Sequence, residues 1–461
     1  MNSVVGIIML AILALPSFAE AAEETGLTQQ VAKAIVDFSY DEIPDEVIEF
    51  TRYLIADSVA VAVGAHHTQI FKDVEKVLGI DGGDSLILAS GRKGSLLEAT
   101  YLNAFAANVL DFDDSHVEIG HPGATIVPPA LVLAEKYGKS DEELIEAIVA
   151  GYEFNIRWGR SVFNYPDKFA GPWSLSAMQV FGATVMAAKL MDLTEEEIRR
   201  ALFFAAANTP LPVYQKIGLY PGQVMSGLKN NYGHTARAGV EAVLIARAGI
   251  QAEPTILDGD QGQWRMMAAR EFHQEHMLAG IGTTWEVMGM QVKPYAACRW
   301  MHSSIDAFRY LLNEIPTGEI ERVDVHIYNF GVTALSKPNP SSLLELQFSM
   351  PQIFGLLSLG NPLMDLRLKD TRNSSAMTFS RKVSLHLDKE YDRQYTVEGR
   401  LPARVIVTLK NGQTLEKEIR SPVGERGNPL SKSAHLLKIN TLIDSSPHRK
   451  VRRYARRFVP E

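Results

Sequence analysis

The sequence predicts a mainly α protein, in which a large helical domain built from both ends of the chain carries an inserted α+β domain. Apolar residues recur at helical spacing through most of residues 28–270. After about residue 290 they alternate with polar residues, as on half-buried strands, and a helical pattern returns at 431–443. The predicted boundaries are 26–290 and 428–461 for the helical domain and 291–427 for the α+β domain.

The first helical region contains its own start signals. Val31, Ile35 and Phe38 follow one helix face. Two capping boxes, Ser140-Asp-Glu-Glu143 and Thr194-Glu-Glu-Glu197, each precede an apolar periodic run. We therefore expect helices to begin at both capping boxes.

The α+β region contains three alternating segments, which we predict to be strands. They centre on Val323–Ile327, on Val383–Leu387 and on residues 405–409. The last of them runs into Asn411-Gly412, a strong hairpin signal, before a fourth segment at 415–419. Between the strands, residues 343–357 predict a helix interrupted by Pro351.

The first 21 residues have the pattern of a secretory signal peptide. Residues 4–15 are apolar but too few to span a bilayer. Pro16 ends the run, and Ser17-Phe-Ala19 and Ala19-Glu-Ala21 both fit a small-x-small cleavage site. No lysine or arginine precedes the run, so an ordinary core helix is the alternative. We predict an exported protein, periplasmic or secreted, without membrane association after removal of 1–21; the alternative location is cytoplasmic.

Charge and cysteine content exclude two classes of function. A formal charge of −8 and a pI near 5.9 argue against nucleic acid as the main partner. The single cysteine, Cys298, excludes an intramolecular disulfide and a cluster held by three or four thiolates. Any elimination chemistry must therefore use protein acids and bases, and no cofactor is expected.

The most polar short segment of the helical region is Asp111-Phe-Asp-Asp-Ser-His-Val-Glu-Ile-Gly-His121-Pro-Gly123. It joins two predicted helices, the second of which we expect to start near Pro128. Its carboxylates and histidines have spacings that suit a zinc or manganese ion. They also suit acid–base catalysis, and the aspartates suit helix capping.

Two further segments bring cations together. Gly227-Leu-Lys229 is followed by His234 and Arg237, although Arg237 suits a helix surface equally well. Lys293-Pro-Tyr-Ala-Ala-Cys-Arg-Trp-Met-His302 places a lysine, an arginine and a histidine in ten residues. Such clusters suit the binding of carboxylates, whereas Cys298 between them is interpreted as a small buried apolar residue.

Residues 293–302, followed by Ser303-Ser-Ile-Asp306-Ala307, resemble the signature of the MmgE/PrpD family. That family contains 2-methylcitrate dehydratases, cis-aconitate decarboxylases and some epimerases. The Asp-Phe-Asp-Asp-Ser segment, with His121-Pro six residues later, is similar to the family's other main motif. Gly151-Tyr-Glu153 and Phe348-Ser-Met-Pro351 match as well, so the resemblance covers most of the chain.

The resemblance implies a substrate site without metal. The residues that carry over as catalytic are His121, Asp111, His302 and Lys293, and those that carry over as substrate-binding are Ser115, Lys229, Arg299 and Tyr328. His121 would transfer a proton with Asp111 orienting it, and His302 would be the second acid–base group. The α+β domain would act as a lid, and the chain would form a homodimer.

The resemblance implies a cofactor-independent dehydratase that acts on a citrate-like di- or tricarboxylate. Relatives have Gly-Phe-His-x-Thr where this chain has Gly171-Pro-Trp-Ser-Leu175, so the substrate stays open. Decarboxylation or epimerisation of a related polycarboxylate is the first alternative. A non-catalytic, exported carboxylate-binding protein is the second.

Overall fold

The computed structural model of this chain describes residues 26–162, 175–209, 223, 225, 227–228, 230–267 and 269–460. The predicted signal peptide at 1–21, the candidate Lys229 and residues 171–174 of the altered segment lie outside these ranges. The described part is mainly α, which confirms the predicted fold class: it is 60% helical, with a small α+β part.

The helices and strands are given in chain order. The helices are α1 Leu27–Asp37, α2 Asp45–Gly64, α3 Gln69–Leu78, α4 Leu96–Val109, α5 Pro122–Tyr137, α6 Asp141–Val162, α7 Leu175–Leu190, α8 Glu195–Ala207, α9 Tyr232–Arg247, α10 Gln263–Met266, α11 His302–Leu312, α12 Asn329–Leu335, α13 Leu343–Gln347, α14 Met350–Ser358, α15 Ser374–Ser380, α16 Lys389–Glu398, α17 Lys432–Ser445 and α18 Arg449–Ala455. The strands are β1 Ser85–Leu86, β2 Lys93–Gly94, β3 Ile320–Ile327, β4 Val383–Leu387, β5 Ala403–Leu409 and β6 Thr414–Ile419.

Helices α2 and α4 to α9 pack together around small buried side chains. The capping boxes begin α6 and α8 as predicted, since Glu143 and Glu197 each bond the backbone N–H of their cap residue. Helices α6 and α7 approach closely at Gly182, where an added Cβ would lie 2.6 Å from the Cβ of Asn155. Such contacts are possible only with small residues, so the alanine- and glycine-rich stretches serve packing.

Helix α5 starts at Pro122 and not near Pro128, so that prediction was wrong. Pro122 occupies the first helical turn, where the missing N–H has no helical partner in any case. Pro128 and Pro129 lie inside the helix, and both are buried. The earlier start places His121 at the N-cap of α5 and so fixes its backbone at the helix end.

The main sheet has the order β4-β3-β5-β6. Strand β3 pairs parallel with β4 and antiparallel with β5, and the predicted Asn411-Gly412 hairpin joins β5 to β6. Gly412 adopts φ 86°, which the tight turn requires. Pro351 does interrupt the predicted helix, because it lies in the first turn of α14 after α13 has ended.

The C-terminal helix α17 packs against α2 near the start of the described chain. Residues 110–121, which join α4 to α5, lie beside that contact and also pair with the segment at Gln291. This connection is named the site loop. Among the described residues, no helix is long and apolar enough to cross a membrane.

Candidate active site

The site loop begins with an aspartate in a strained conformation. Asp111 has φ 49°, in the left-handed region that few residues other than glycine adopt. Lys293 Nζ donates to both the carbonyl oxygen and Oδ1 of Asp111, each at 2.8 Å. Both side chains are buried, so this ion pair is held in a medium with little water. The lysine therefore fixes the backbone and the carboxylate of Asp111 together.

His121 lies at the other end of the site loop, among three aspartates. Its Nδ1 is 3.2 Å from the carbonyl oxygen of Asp114 and 3.3 Å from Asp113 Oδ1, while Nε2 is 3.8 Å from Asp111 Oδ1. A carbonyl oxygen only accepts hydrogen bonds, so Nδ1 carries a proton. In the neutral ring the basic lone pair is then on Nε2, the nitrogen nearer Asp111. This is the arrangement that a general base requires.

Asp113 and Asp114 are both buried but have different partners. Asn108 Nδ2 donates to both carboxylate oxygens of Asp113, at 3.0 and 3.1 Å. Asp114 accepts from the backbone N–H of Gly123 and, at 2.6 Å, from the Tyr152 hydroxyl. Burial raises the pKa of Asp114 to about 7, although these hydrogen bonds oppose the shift. Asp114 therefore caps the start of α5, as one of the sequence alternatives expected, and also titrates near neutral pH.

Ser115 joins the site loop to the segment before Lys293. Its backbone forms an antiparallel bridge with Gln291, and its Oγ is 3.2 Å from Gln291 Oε1. This bridge sets the position of Lys293, which follows Gln291 by two residues. Ser115 therefore has a structural partner at the place where the sequence predicted substrate binding.

Three ligand atoms in this region could hold a metal ion. One atom each from Asp111, Asp113 and His121 lie within 4.8 Å of one another. However, the Lys293 ammonium is 2.8 Å from Asp111 Oδ1, where it would repel a dication. The geometry therefore favours the acid–base interpretation. We name Lys293, Asp111 and His121 the site cluster.

A second buried group has the same composition and holds the same loop. Lys438 of α17 lies 2.7 and 2.9 Å from the two carboxylate oxygens of Asp57 in α2, and His435 Nε2 is 2.9 Å from Asp57 Oδ1. Lys438 Nζ also donates to the carbonyl oxygen of Phe112 at 2.7 Å. Burial raises the pKa of Asp57, but Lys438 and His435 outweigh it and lower the pKa. We name Lys438, Asp57 and His435 the helix cluster.

Two other predicted cationic residues have ion-pair partners outside the site loop. Arg299 Nη1 donates to the carbonyl oxygen of Val423 at 2.8 Å, and Nη2 is 3.4 Å from Glu425. Arg299 therefore clamps the chain after β6 and is engaged there. Arg237 pairs with Glu241 on its own helix at 2.9 Å and is half-buried, which supports the surface alternative.

His302 is fully buried and uses both ring nitrogens. An arginine only donates, so Nδ1 accepts from Arg299 Nη1 at 3.1 Å, and Nε2 donates to the carbonyl oxygen of Ala297 at 3.0 Å. Burial, Arg299 and Lys293 hold its pKa well below the ordinary value. This geometry favours a neutral structural histidine over the second acid–base group that the sequence predicted.

Tyr328 belongs to the core of the α+β region. Its hydroxyl donates to the carbonyl oxygen of Trp300 at 2.7 Å, and its ring stacks on Tyr395 with 4.1 Å between centroids. The predicted contact with substrate therefore has no support from its position. Cys298 is buried, as its interpretation as an apolar residue expected.

A cavity of about 490 Å³ lies beside the site cluster. Asn108 and Tyr232 line it, and neither was singled out from the sequence. Asn108 holds Asp113, and the Tyr232 ring lies 6.0 Å from the His121 ring. Signals were present for both, since Asn108 lies three residues before Asp111, and Tyr232 lies inside the glycine-rich segment after Lys229.

Known proteins resemble this chain over nearly its whole length. Residues 29–275 match the MmgE/PrpD N-terminal domain, and residues 295–457 match the MmgE/PrpD C-terminal domain. Cis-aconitate decarboxylase of Aspergillus terreus is 25% identical over 460 residues, covering 93% of this chain and 91% of the relative. Cis-aconitate decarboxylase of Homo sapiens is 22% identical over 427 residues, covering 88% and 85%. The two domain matches, in the expected order, establish that the chain belongs to the MmgE/PrpD family.

Proposed function

We propose that this protein is a cofactor-independent lyase that acts on a citrate-like di- or tricarboxylate. The observation that carries the proposal is the site cluster beside the cavity. His121 there has Nδ1 bonded and Nε2 oriented toward Asp111, while Lys293 supplies positive charge. A charge that develops next to a carboxylate is stabilised by such a fixed ammonium group. Lys229 keeps its predicted role as a carboxylate-binding residue.

Decarboxylation is the reaction that the relatives favour. Both named relatives are cis-aconitate decarboxylases, at 25% and 22% identity. In such a reaction the bond to one carboxylate carbon breaks and carbon dioxide leaves. The electron pair stays on the substrate carbon, which then takes a proton. In this proposal the protonated form of His121 donates that proton, and its positive charge stabilises the carbanion first.

Dehydration is the second candidate. It needs both a base and an acid. A base removes the proton next to a carboxylate, and the neighbouring hydroxyl leaves with a second proton as water. His121 supplies the base. Asp114, whose pKa burial raises to about 7, is about half protonated in the same loop at pH 7. This reaction corresponds to the 2-methylcitrate dehydratase type.

Three substrates separate the candidates. The purified chain would be incubated with cis-aconitate, citrate and 2-methylcitrate, with and without EDTA. We expect carbon dioxide from cis-aconitate if the protein decarboxylates, and new alkene absorbance from a citrate if it dehydrates. EDTA should change neither rate. A calorimetric signal for binding without either product would instead support a non-catalytic carboxylate-binding protein.

Export and homodimer formation remain predictions. Fractionation of cells that express the full chain or a chain without residues 1–21 tests export. Equal distribution of the two would contradict it. Light scattering of the purified protein tests the dimer.

A further inference from the structure

The cavity beside the site cluster has walls formed by several elements. Helices α3, α4 and α9 contribute to it, together with the segment that leads into α13. Asn108, which donates to Asp113, and Tyr232, which lies against His121, belong both to the wall and to the surroundings of the site cluster. The cavity and the site cluster therefore share Asn108 and Tyr232 as neighbours.

Most polar side chains in the cavity wall already bond protein atoms. These bonds are Thr68 Oγ1 to the Ala65 carbonyl (2.9 Å), Gln69 Nε2 to Asp73 Oδ1 (2.9 Å), Ser341 Oγ to Glu345 Oε2 (2.7 Å), Ser342 Oγ from the Glu345 N–H (3.1 Å) and His67 Nδ1 to the Gly64 carbonyl (2.8 Å). Each of these side chains therefore has at least one protein partner. Among the described wall residues, the ionisable acid and imidazole groups are Asp73 and His67, and burial lowers the pKa of His67. The described part of the wall therefore contains no lysine or arginine that could pair with a carboxylate.

The other described wall residues are mostly apolar. They include Ile70, Phe105, Val109, Leu343, Leu344 and Leu368. Leu368 is 49% exposed, so it has apolar area to bury against a ligand. Burial of apolar surface contributes about 25 cal/mol per Å². The cavity volume lies in the range of about 300–1,000 Å³ that is typical of sites for drug-sized ligands.

We infer that the cavity binds an alkyl chain of the substrate, whose carboxylates lie at the site cluster. The substrate class is then a di- or tricarboxylate with an alkyl substituent longer than methyl. Citrate or cis-aconitate at the site cluster would leave the described apolar wall uncovered. Moving its carboxylates against that wall would cost the free energy of removing them from water. This inference rests on the proposed function, because it takes the site cluster as the place of reaction.

The test measures the affinity, by calorimetry, and the turnover of a series of 2-alkylcitrates with methyl, butyl and hexyl chains. Each added methylene should strengthen binding about fourfold until the cavity is full, since burying one methylene is worth about 0.8 kcal/mol. Hexanoate, which carries the chain without the citrate head, should bind far more weakly than 2-hexylcitrate.

Two leucine variants locate the chain. Leu368→Ser removes apolar wall surface. It should weaken the binding of 2-hexylcitrate about five- to tenfold while leaving the affinity for 2-methylcitrate unchanged. Leu359→Ser is the matched control, because Leu359 is 51% exposed and lies outside the described cavity wall. Leu359→Ser should change the affinity for neither ligand.

The outcomes separate this inference from the proposed function. Turnover of short substrates with no dependence of affinity on chain length would overturn the alkyl site alone. Affinity that rises with chain length without any turnover would overturn the lyase and leave the alkyl site in place. Equal binding of hexanoate and 2-hexylcitrate, or equal effects of the two serine variants, would also overturn the inference.

Discussion

The site cluster and the helix cluster contain the same three residue types but differ in how tightly the histidine is held. His435 Nε2 is 2.9 Å from Asp57, whereas His121 Nε2 is 3.8 Å from Asp111. The lysines act alike, since Lys293 and Lys438 donate to the carbonyl oxygens of the consecutive residues 111 and 112.

This difference indicates how one set of residues serves two purposes. In the helix cluster the imidazole, carboxylate and ammonium groups satisfy one another between two helices. In the site cluster the contact between Nε2 of the histidine and its carboxylate is looser. A lysine, an aspartate and a histidine therefore suggest a proton-transfer site only where the basic nitrogen of the histidine is held loosely by the carboxylate.

The largest expected effect comes from the two histidines. His121→Asn should lower kcat by about 10²- to 10⁴-fold, because it removes the group that transfers the proton. His435→Asn should keep kcat within a few fold and lower the unfolding temperature. Steady-state turnover and calorimetric unfolding of both variants test this. Equal loss of turnover in the two would contradict the distinction between the clusters.

Removing one lysine should leave a buried aspartate without its counterion. Lys293→Met and Lys438→Met should each lower the free energy of unfolding by about 3–5 kcal/mol. Adding Asp57→Asn to Lys438→Met should restore much of the free energy of unfolding and of the kcat that the single variant loses. Adding Asp111→Asn to Lys293→Met should recover stability only. Denaturant unfolding and kcat are the measurements, and recovered turnover in the second pair would count against a catalytic site cluster.

Two aspartates should respond to pH with opposite signs. Burial raises the pKa of Asp114 to about 7 from 3.8, so the folded chain keeps a proton that the unfolded chain loses. Wild-type stability from this group, on the order of 4 kcal/mol, is therefore lost between about pH 4 and pH 7. The unfolding temperature of Asp114→Asn should rise relative to wild type over that interval.

Asp57 supplies the opposite case, because Lys438 and His435 lower its pKa. Its stabilisation is present above the ordinary carboxyl pKa and is lost as the pH falls through the lowered value. Asp57→Asn should therefore be most destabilising at neutral pH and approach wild type in strong acid. Parallel pH trends for the two variants, in thermal unfolding from pH 3 to pH 8, would refute this assignment.

The smallest effect should come from an exposed pair between the same two helices. Lys432 of α17 bonds Glu49 of α2, and both side chains are more than half exposed. Lys432→Met should change the free energy of unfolding far less than Lys438→Met does, since water screens such pairs. This variant is the control for Lys438→Met. A similar loss of unfolding free energy in the two variants would show that the loss comes from the contact between the helices and not from burial of the charge.

Local sequence signals predicted the mainly α fold, both capping boxes, the strands and the Asn411-Gly412 turn. Each depends on residues a few positions apart, whose spacing sets the structure directly. The start of α5 was missed because Pro128 was taken to begin a helix, although a proline inside a buried helix is tolerated when tertiary packing compensates. The parallel pairing of β3 with β4 had no local signal either.

The site was predicted in part. The resemblance supplied Asp111, His121 and Lys293, which the structure brings together. It also supplied Arg299, His302 and Tyr328, whose partners lie within the C-terminal half. The helix cluster was not foreseen, because Asp57 and Lys438 are 381 residues apart and each is unremarkable in its own helix. Only packing brings these charges together.

The contact between α2 and α17 also sets an order of events during synthesis. Asp57 is made 381 residues before Lys438, which at about 5–20 residues per second is a delay of roughly 20–80 seconds. Until α17 leaves the ribosome, the carboxylate of Asp57 has no ammonium partner, and the backbone at Phe112 lacks its anchor. The site loop of the nascent chain therefore lacks this anchor until α17 is made, and we expect a chain truncated before α17 to be cleaved more readily by proteases.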